Sequence, residues 1–582
     1  MATRRTFKVF AMKKLSILLF ICIIIFFGCK NDDQDTDIPY ENITDESFLF
    51  ALIDQGVDTD GDSMISAAEA EAVISLDISA GHWQCPYISC YFYFGNIKSL
   101  KGIELFINLD TLKCSGNVID SLDLSSNTLL RYLDCSLNGD SSLSNGLNLS
   151  NCTSLTYLDC SQNAFTELDV SNLVGLREIY CYKNKITSLD VNTCSGLTNL
   201  DCSNNQLTRL NVTGCSNLTD LDCSGNQLTN LDISGCSGLM NFNCSGNELS
   251  GLNVSSNNEL TNLNCCNNVL TNLDISSNGT LQVLSCCNNQ FTSLDASNCP
   301  ALISVNCFSE QLTQLNLSGT ALTSFSFNGG VLQELNTSNC INLKELVCTG
   351  SKLDLLNMDG CDSLRYLDCN NNNLTDLDVT ANHRLLMLHC SGNNLEELDL
   401  IQNTLLTDLD CSDNELSHLD LSKNISLKHL YCIKDNLTEL DLSACASLTR
   451  LDCMENDLTT LDLSANESLR CLYCSNNKLT SLIMPFNIYG PLYCDHNELS
   501  GIDLSQCTVL GGTLVLSNNI LTNLDISNNI ELDSVFIEEM PILSEVCVWD
   551  GFENAMVVVA KEGSPNAYFT TECSGNGKSI IN

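Results

Sequence analysis

From Leu197 onward the apolar residues follow a spacing that returns. Leu197, Leu200, Cys202, Asn205, Leu207, Leu210, Val212 and Cys215 mark inward positions separated by polar, mostly small residues. Leu197-Thr-Asn-Leu200-Asp-Cys202-Ser-Asn-Asn205-Gln-Leu207 becomes, 21 residues later, Leu218-Thr-Asp-Leu221-Asp-Cys223-Ser-Gly-Asn226-Gln-Leu228. Each unit carries two stretches of strict alternation, Leu200-Asp201-Cys202 and Leu210-Asn211-Val212. Such alternation predicts two short strands per unit, each with one face inward. A unit this small cannot bury its apolar face alone, so stacked units must share a continuous core.

The cysteine sets the phase. It stands at 114 and 135, then every 21 residues from 160 to 307 and from 348 to 474, with a four-residue insertion before 160. Phe327 takes the slot between 307 and 348, Cys494 arrives one residue early, and Leu516 and Ile537 fill the last two slots. The repeat predicts a mainly β solenoid of about 21 coils over residues 81–545, with parallel strands on two faces. Segments 46–80 and 546–582 then read as a helical N-terminal segment and a C-terminal cap. The coils at 307, 327 and 348 place Glu310, Gly330 and Ser351 where others have asparagine, which predicts a local bend or weak point.

LxxLxCxxNxL resembles the conserved half of a bacterial leucine-rich repeat. With LxxLDLSxN/C as its second half, the 21-residue unit is similar to the cysteine-ladder internalins and to leucine-rich surface lipoproteins of Bacteroidota. The resemblance implies adhesion, receptor or adaptor roles without choosing among them.

Composition changes the picture mainly through cysteine, 36 of 582 residues. In a short secreted chain that count means a disulfide framework. Here 18 cysteines share one inward slot, where neighbours lie about 4.8 Å apart, wider than the Cβ separation of about 3.8 Å a disulfide prefers. The six histidines are scattered, so no zinc site forms either. These thiols are expected to pack as small apolar groups. Nine more (Cys152, Cys194, Cys215, Cys236, Cys299, Cys340, Cys361, Cys445, Cys507) alternate with asparagine in a second slot, which argues for a space requirement rather than a bond. Disulfide candidates lie outside both slots: Cys266 with Cys287 on adjacent coils, Cys547 with Cys573 as a cap, and Cys85 with Cys90 at the other end.

The asparagine slot (Asn117 to Asn289, then Asn372, Asn393, Asn414) buries a polar amide, which survives only by bonding backbone groups of adjacent turns. On the second strand an outward column (Asp169, Asp190, Asn211, Asp232, Asn253, Asp274, Asp295) would repel itself if wholly ionised. Its tolerance of asparagine points to a hydrogen-bonding role, with a weak divalent-cation ladder as the alternative.

At the amino terminus, residues 15–27 (LSILLFICIIIFF) follow Lys13-Lys14 and precede Gly28-Cys29. The run is short for a membrane span and has the layout of a secretory h-region. Gly28-Cys29 resembles a bacterial lipobox, although Phe26 departs from the usual leucine. The resemblance implies a signal peptide over 1–28, lipidation of Cys29 and a polar tether over 29–45; the alternative is an uncleaved anchor. Lys30-Asn31-Asp32-Asp33 resembles the signal that sends such lipoproteins to the outer face of the outer membrane. Cleavage removes five basic residues (Arg4, Arg5, Lys8, Lys13, Lys14) and no acidic one, moving the net charge from −45 to −50. A chain this acidic has no footprint for nucleic acid or for anionic headgroups.

Asp58-Thr-Asp60-Gly-Asp62-Ser63-Met64-Ile65-Ser66-Ala-Ala-Glu69 fits a twelve-residue EF-hand loop. Calcium takes six to eight oxygens, here from Asp58, Asp60, Asp62, the Met64 carbonyl, Ser66 and Glu69. Ser63 stands where glycine is expected. The alternative is a solvated acidic turn.

No catalytic constellation emerges, because Ser, Asp and Asn recur wherever the repeat puts them. Outward positions beside the ladder cysteine are small and polar in early coils (Asn199, Asp201, Ser203). In later coils they become Tyr366, Met387, His389, His429, Tyr431, Ile433, Arg450, Tyr473 and Tyr493. Aromatic, Met and Arg side chains gathered on one sheet face predict a partner-binding stripe. Drift under weak constraint is the bland alternative. A protein ligand is the first expectation, a glycan the second, and an envelope spacer with no ligand the third.

Overall fold

The computed structural model describes residues 43–80, 95–139, 146–486, 488–554 and 557–573. The signal segment, Cys29, Cys85 and Cys90 lie outside the described residues. Helix α1 (Glu46–Asp54) starts at Asp45, whose Oδ1 accepts the backbone N–H of Ser47 and Phe48 at 2.9 and 3.1 Å. The other Asp45 oxygen accepts from the backbone N–H of Lys98 and Ser99 at 2.8 and 3.0 Å, tying the cap to the first coil. Phe48, Ala51 and Leu52 are buried on the inner side of α1. Helix α2 (Ala67–Ala72) follows a capping box between Ser66 and Glu69.

The chain is a parallel leucine-rich-repeat solenoid of about 21 turns, mostly short strands with few helices. On the cysteine side an 11-stranded parallel sheet runs from Ser75–Asp77 to Ser304–Asn306. A 12-stranded sheet then runs from Ser324–Ser326 to Val558–Ala560. Pairing keeps strict phase: Leu200, Leu221, Phe242 and Leu263 stand in register and face inward. The sheet does not respect the boundaries at 80 and 546. Ser75–Asp77 pairs with Thr111–Lys113, and Val558–Ala560 and Tyr568–Thr570 extend the two sides beyond 546.

Two polar ladders hold neighbouring turns together. In the first, Asn226 donates through Nδ2 to the carbonyls of Cys202 and Cys223 at 3.1 and 3.0 Å, and its Oδ1 accepts from Leu207 N at 2.9 Å. Both ends of the amide are used, which satisfies buried backbone groups in two turns at once. The second ladder uses one end. Asn257 Nδ2 donates to Ile233 O at 3.1 Å and Cys236 O at 2.7 Å, while its buried Oδ1 has no partner. Asn127, Asn278, Asn382, Asn403, Asn424, Asn466 and Asn529 also leave Oδ1 unpartnered. Cysteine serves in this slot because its S–H donates to the same kind of carbonyl, as Cys215 does to Val191 O at 3.2 Å and Cys361 to Thr337 O at 3.1 Å. The space requirement expected from the sequence is therefore also a donor requirement.

Every described ladder cysteine is buried. Burial raises the thiols of Cys135, Cys160 and Cys202 well above the ordinary range, and Cys265 and Cys307 are pushed up to about 12. Cys471 is the partly exposed free cysteine of the described residues.

The second face departs from the expectation of a strand in every coil. It is broken into short sheets of two to four strands. Three of the pairings bring aspartate against asparagine, Asp123 with Asn148, Asp190 with Asn211 and Asp295 with Asn316, and in each case the amide donates to the carboxylate at 3.0 to 3.1 Å, whereas Asp232, between Asn211 and Asn253, forms no strand. Asp378, Asp399, Asp420 and Asp441 follow one another, and no strand forms there. Hydrogen bonds from the residue two further on hold Asp378, Asp420 and Asp441 below the ordinary carboxylate range. Like charges would then face each other at about 4.8 Å, which opposes pairing.

The irregular coils at 307 and 327 interrupt the cysteine-side sheet, while strands on the other side pair without a break from Ser293–Asp295 to Leu355–Asn357. Glu310 is exposed, contrary to its expected inward place. Ser309 is buried instead and donates to Asn289 O at 2.9 Å, because this coil reaches its ladder position one residue early. Phe327 packs on Phe308 with ring centroids 5.7 Å apart. At the carboxyl end Cys547 and Cys573 are joined by a disulfide, Cα atoms 5.6 Å apart; in the same cap Trp549 meets Phe552 edge-on and Phe552 stacks on Phe569. Cys266 and Cys287 are likewise joined, Cα atoms 4.6 Å apart.

Candidate recognition face and acidic loop

Strand register decides which outward side chains meet. One column of the 12-stranded sheet carries Tyr366, Met387, Asp408, His429, Arg450 and Cys471. The next carries Asp368, His389, Asp410, Tyr431, Asp452, Tyr473 and Tyr493. The nine residues singled out in the sequence therefore share one face, with Ile433 just beyond the second column. The Tyr366 ring meets His389 edge-on at 5.5 Å, and Tyr366 Oη donates to Asp368 at 3.2 Å. His429 Nδ1 pairs with Asp408. Tyr473 stacks on Tyr493 at 5.1 Å.

Arg450 lies at the centre. Its guanidinium carbon is 5.2 Å from the Tyr431 ring centre and 4.8 Å from that of Tyr473. Below it Asp452 is buried, its carboxylate 4.0 Å from an Arg450 nitrogen. Burial raises the Asp452 carboxyl to about 6 even though the Met454 amide and Arg450 pull it down.

A second aromatic cluster occupies the same outward columns near the start of the sheet. Tyr132 stacks on Tyr157 at 4.2 Å, Tyr157 leans on Tyr180 at 5.6 Å, and Lys113 lies 5.5 Å over the Tyr132 ring. Sequence reasoning passed over these three tyrosines, although they stand three or one positions before Cys135, Cys160 and Cys181. A groove of about 310 Å³ begins at Tyr180 and continues over Asn199, Asp201, Asp222, Asn243 and Asn264. At the sheet break a further groove of about 360 Å³ is lined by residues 303–305 and 324–326 with Glu345 and Val347.

In the acidic loop, ligand oxygens of Asp58, Asp60 and Glu69 lie within 4.8 Å of one another. Asp58 accepts from Gly61 N and Ser63 N at 2.7 and 3.1 Å, and Asp62 from Met64 N at 2.8 Å. Glu69 reaches back to Thr59 and Ser66, and these hydrogen bonds lower its carboxyl to about 2. Ser63 adopts φ +68°, the left-handed turn that glycine normally supplies at that place. Ile65 is buried and Met64 exposed. Three carboxylates converging in this way fit a hard divalent cation by donor type.

Among the described residues no helix is long and apolar enough to cross a membrane. No family model matches the chain, and no curated protein matches it. Solved structures do. The functional domain of InlJ from Listeria monocytogenes, described as including a cysteine ladder, is 29% identical over 73% of this chain and 85% of that one, with a TM-score of 0.43. A leucine-rich-repeat protein of Leptospira interrogans is 21% identical over 72% of this chain and 94% of that one, with a TM-score of 0.36. A TDR receptor is 19% identical over 86% of this chain and 92% of that one, with a TM-score of 0.45.

Proposed function

We propose that this solenoid works by protein–protein recognition through the outward face between Tyr366 and Tyr493, as an adhesin, receptor or adaptor. The observation that carries this reading is the Arg450 guanidinium held between Tyr431 and Tyr473. The contact holds both tyrosine rings in place on a rigid sheet, and aromatic side chains held so lose little entropy on binding and are among the residue types that dominate interface energetics. In the same reading the chain is a lipoprotein anchored through Cys29 and displayed on the outer membrane, and the Asp58–Glu69 loop holds one calcium ion that braces the N-terminal helices. The lipobox-like Gly28-Cys29 and the donor set of the loop support those two parts.

The experiment is proximity labelling by the full chain at the cell surface, run beside a glycan array. A reproducible protein partner with a silent array supports the reading; array binding with no protein partner overturns it. The second reading, glycan capture, rests on the Tyr132–Tyr157 stack beside the amide- and carboxylate-lined groove. Sugar rings stack on aromatic faces and bond to such groups, so array binding lost in Tyr132→Ser/Tyr157→Ser would select it.

A further inference from the structure

The centre of the recognition face is built like a cation site that the chain fills itself. Tyr431, Asp452 and Tyr473 stand in register on three successive strands, so the carboxylate forms the floor and the two rings form the walls. Arg450 crosses over from the neighbouring column and lies against both rings. Cation–π attraction and the charge below hold it there.

The fit is incomplete. The Arg450 side chain is 37% exposed, and its nearest nitrogen stands 4.0 Å from Asp452. Asp452 Oδ1 is buried with no hydrogen-bond partner, and so is Arg450 Nε. A buried carboxylate oxygen without a donor carries a desolvation cost that its present neighbour does not repay. The surroundings are acidic, with Asp408 and Asp410 two strands away, and His429 is already paired with Asp408. An acidic partner would meet three carboxylates here, Asp408, Asp410 and Asp452; a basic one would be drawn in, the more so to a chain of net charge −45.

We propose that Tyr431, Asp452 and Tyr473 form a cation cradle that the free chain plugs with Arg450, and that a lysine or arginine side chain of a basic polypeptide takes its place in the complex. This rests on the recognition-face reading and names the chemistry of the partner. The incoming cation gives Asp452 Oδ1 a donor and keeps the contact with both rings, and Arg450 turns to solvent on its long stem, where water satisfies Nε.

The test uses the full chain and small probes, so that it does not depend on finding the natural partner. Acetyl-Gly-Arg-Gly-amide, its citrulline counterpart and acetyl-Gly-Glu-Gly-amide are titrated by calorimetry into wild type and Arg450→Ala. Arg450→Gln, which keeps the stem, replaces the alanine variant if circular dichroism shows loss of the sheet. Unplugging should tighten binding of the arginine peptide about tenfold over wild type and over the citrulline peptide. Adding Asp452→Asn or Tyr473→Leu should remove that gain. The proposal is overturned if unplugging gives no gain, if citrulline binds as well as arginine, or if the glutamate peptide binds best. Any of these leaves partner capture by the face to be judged separately, through Tyr431 and Tyr473 in the otherwise native chain.

Discussion

Asp435 Oδ1 accepts the backbone N–H of Asn414 at 3.1 Å, as a ladder asparagine would, but its Oδ2 is buried without a partner. At the equivalent place Asn414 presents an NH2 group to the carbonyls of Cys390 and Cys411 at 3.1 and 2.8 Å. An ionised carboxylate has no hydrogen to offer two carbonyls, and burial pushes Asp435 up to about 7. Asp413 and Asp410 lie close enough to add to the rise, while the Asn414 and Leu416 amides oppose it. The folded value lies above the unfolded one. The stability it contributes is therefore complete below about pH 4 and is lost as pH rises toward 7. Asp435→Asn should stabilise the fold at pH 8 by on the order of 2 kcal/mol, with the gain shrinking toward pH 4, read as urea midpoints across that range. A gain independent of pH would contradict the assignment.

The second ladder predicts an unusual substitution order. Cys215 supplies one donor to Val191 O. Cys215→Asn should leave stability at or above wild type, since asparagine fills this slot in other coils. Cys215→Val, closer in shape, should cost about 1 kcal/mol because the carbonyl loses its donor. Thermal unfolding of the pair decides it; equal losses would mean that volume alone matters.

Thiol chemistry checks the packing of the ladder. Iodoacetamide at pH 8 should label Cys471 among the described free cysteines of the native protein and the remainder only after denaturation, as read by peptide mass spectrometry. Rapid native labelling of Cys265 or Cys307 would be incompatible with their burial.

Calcium should protect residues 46–80 from limited proteolysis in the full chain. Glu69→Gln should abolish the protection without altering the circular dichroism of the sheet. Magnesium in place of calcium should protect weakly, since it demands a tighter octahedron than this loop supplies. Protection by calcium that survives Glu69→Gln would remove the loop as its source.

The repeat was legible because each coil must bury the same positions, and Leu200, Cys202 and Asn205 announce their places by recurring. The clustering of Tyr431, Arg450 and Tyr473 followed from the same phase. What the spacing could not convey was interaction between coils. Asp378 and Asp399 look like Asp190 and Asn211 on a single line of sequence, yet one pair repels where the other bonds and forms strands. Cysteine for asparagine in the second slot looked like a matter of volume until the unpartnered Oδ1 of Asn257 revealed that a donor is all the slot requires. Glu310 holds the ladder offset from Cys307, yet Ser309, one residue before it, is buried in that place while Leu312 and Leu315 keep theirs. Tyr132, Tyr157 and Tyr180 were visible at the right offsets and were passed over because small polar residues dominate the coils that follow them.

The central claim is that the outward face from Tyr366 to Tyr493 captures a protein partner. Its most direct test is surface plasmon resonance between the partner recovered by proximity labelling and the full chain, with and without Tyr431→Ser/Tyr473→Ser. The account predicts at least about a tenfold loss of affinity with unchanged circular dichroism and melting, since two aromatic anchors of about 1 kcal/mol or more each are removed. Undiminished binding by the folded double variant would contradict it.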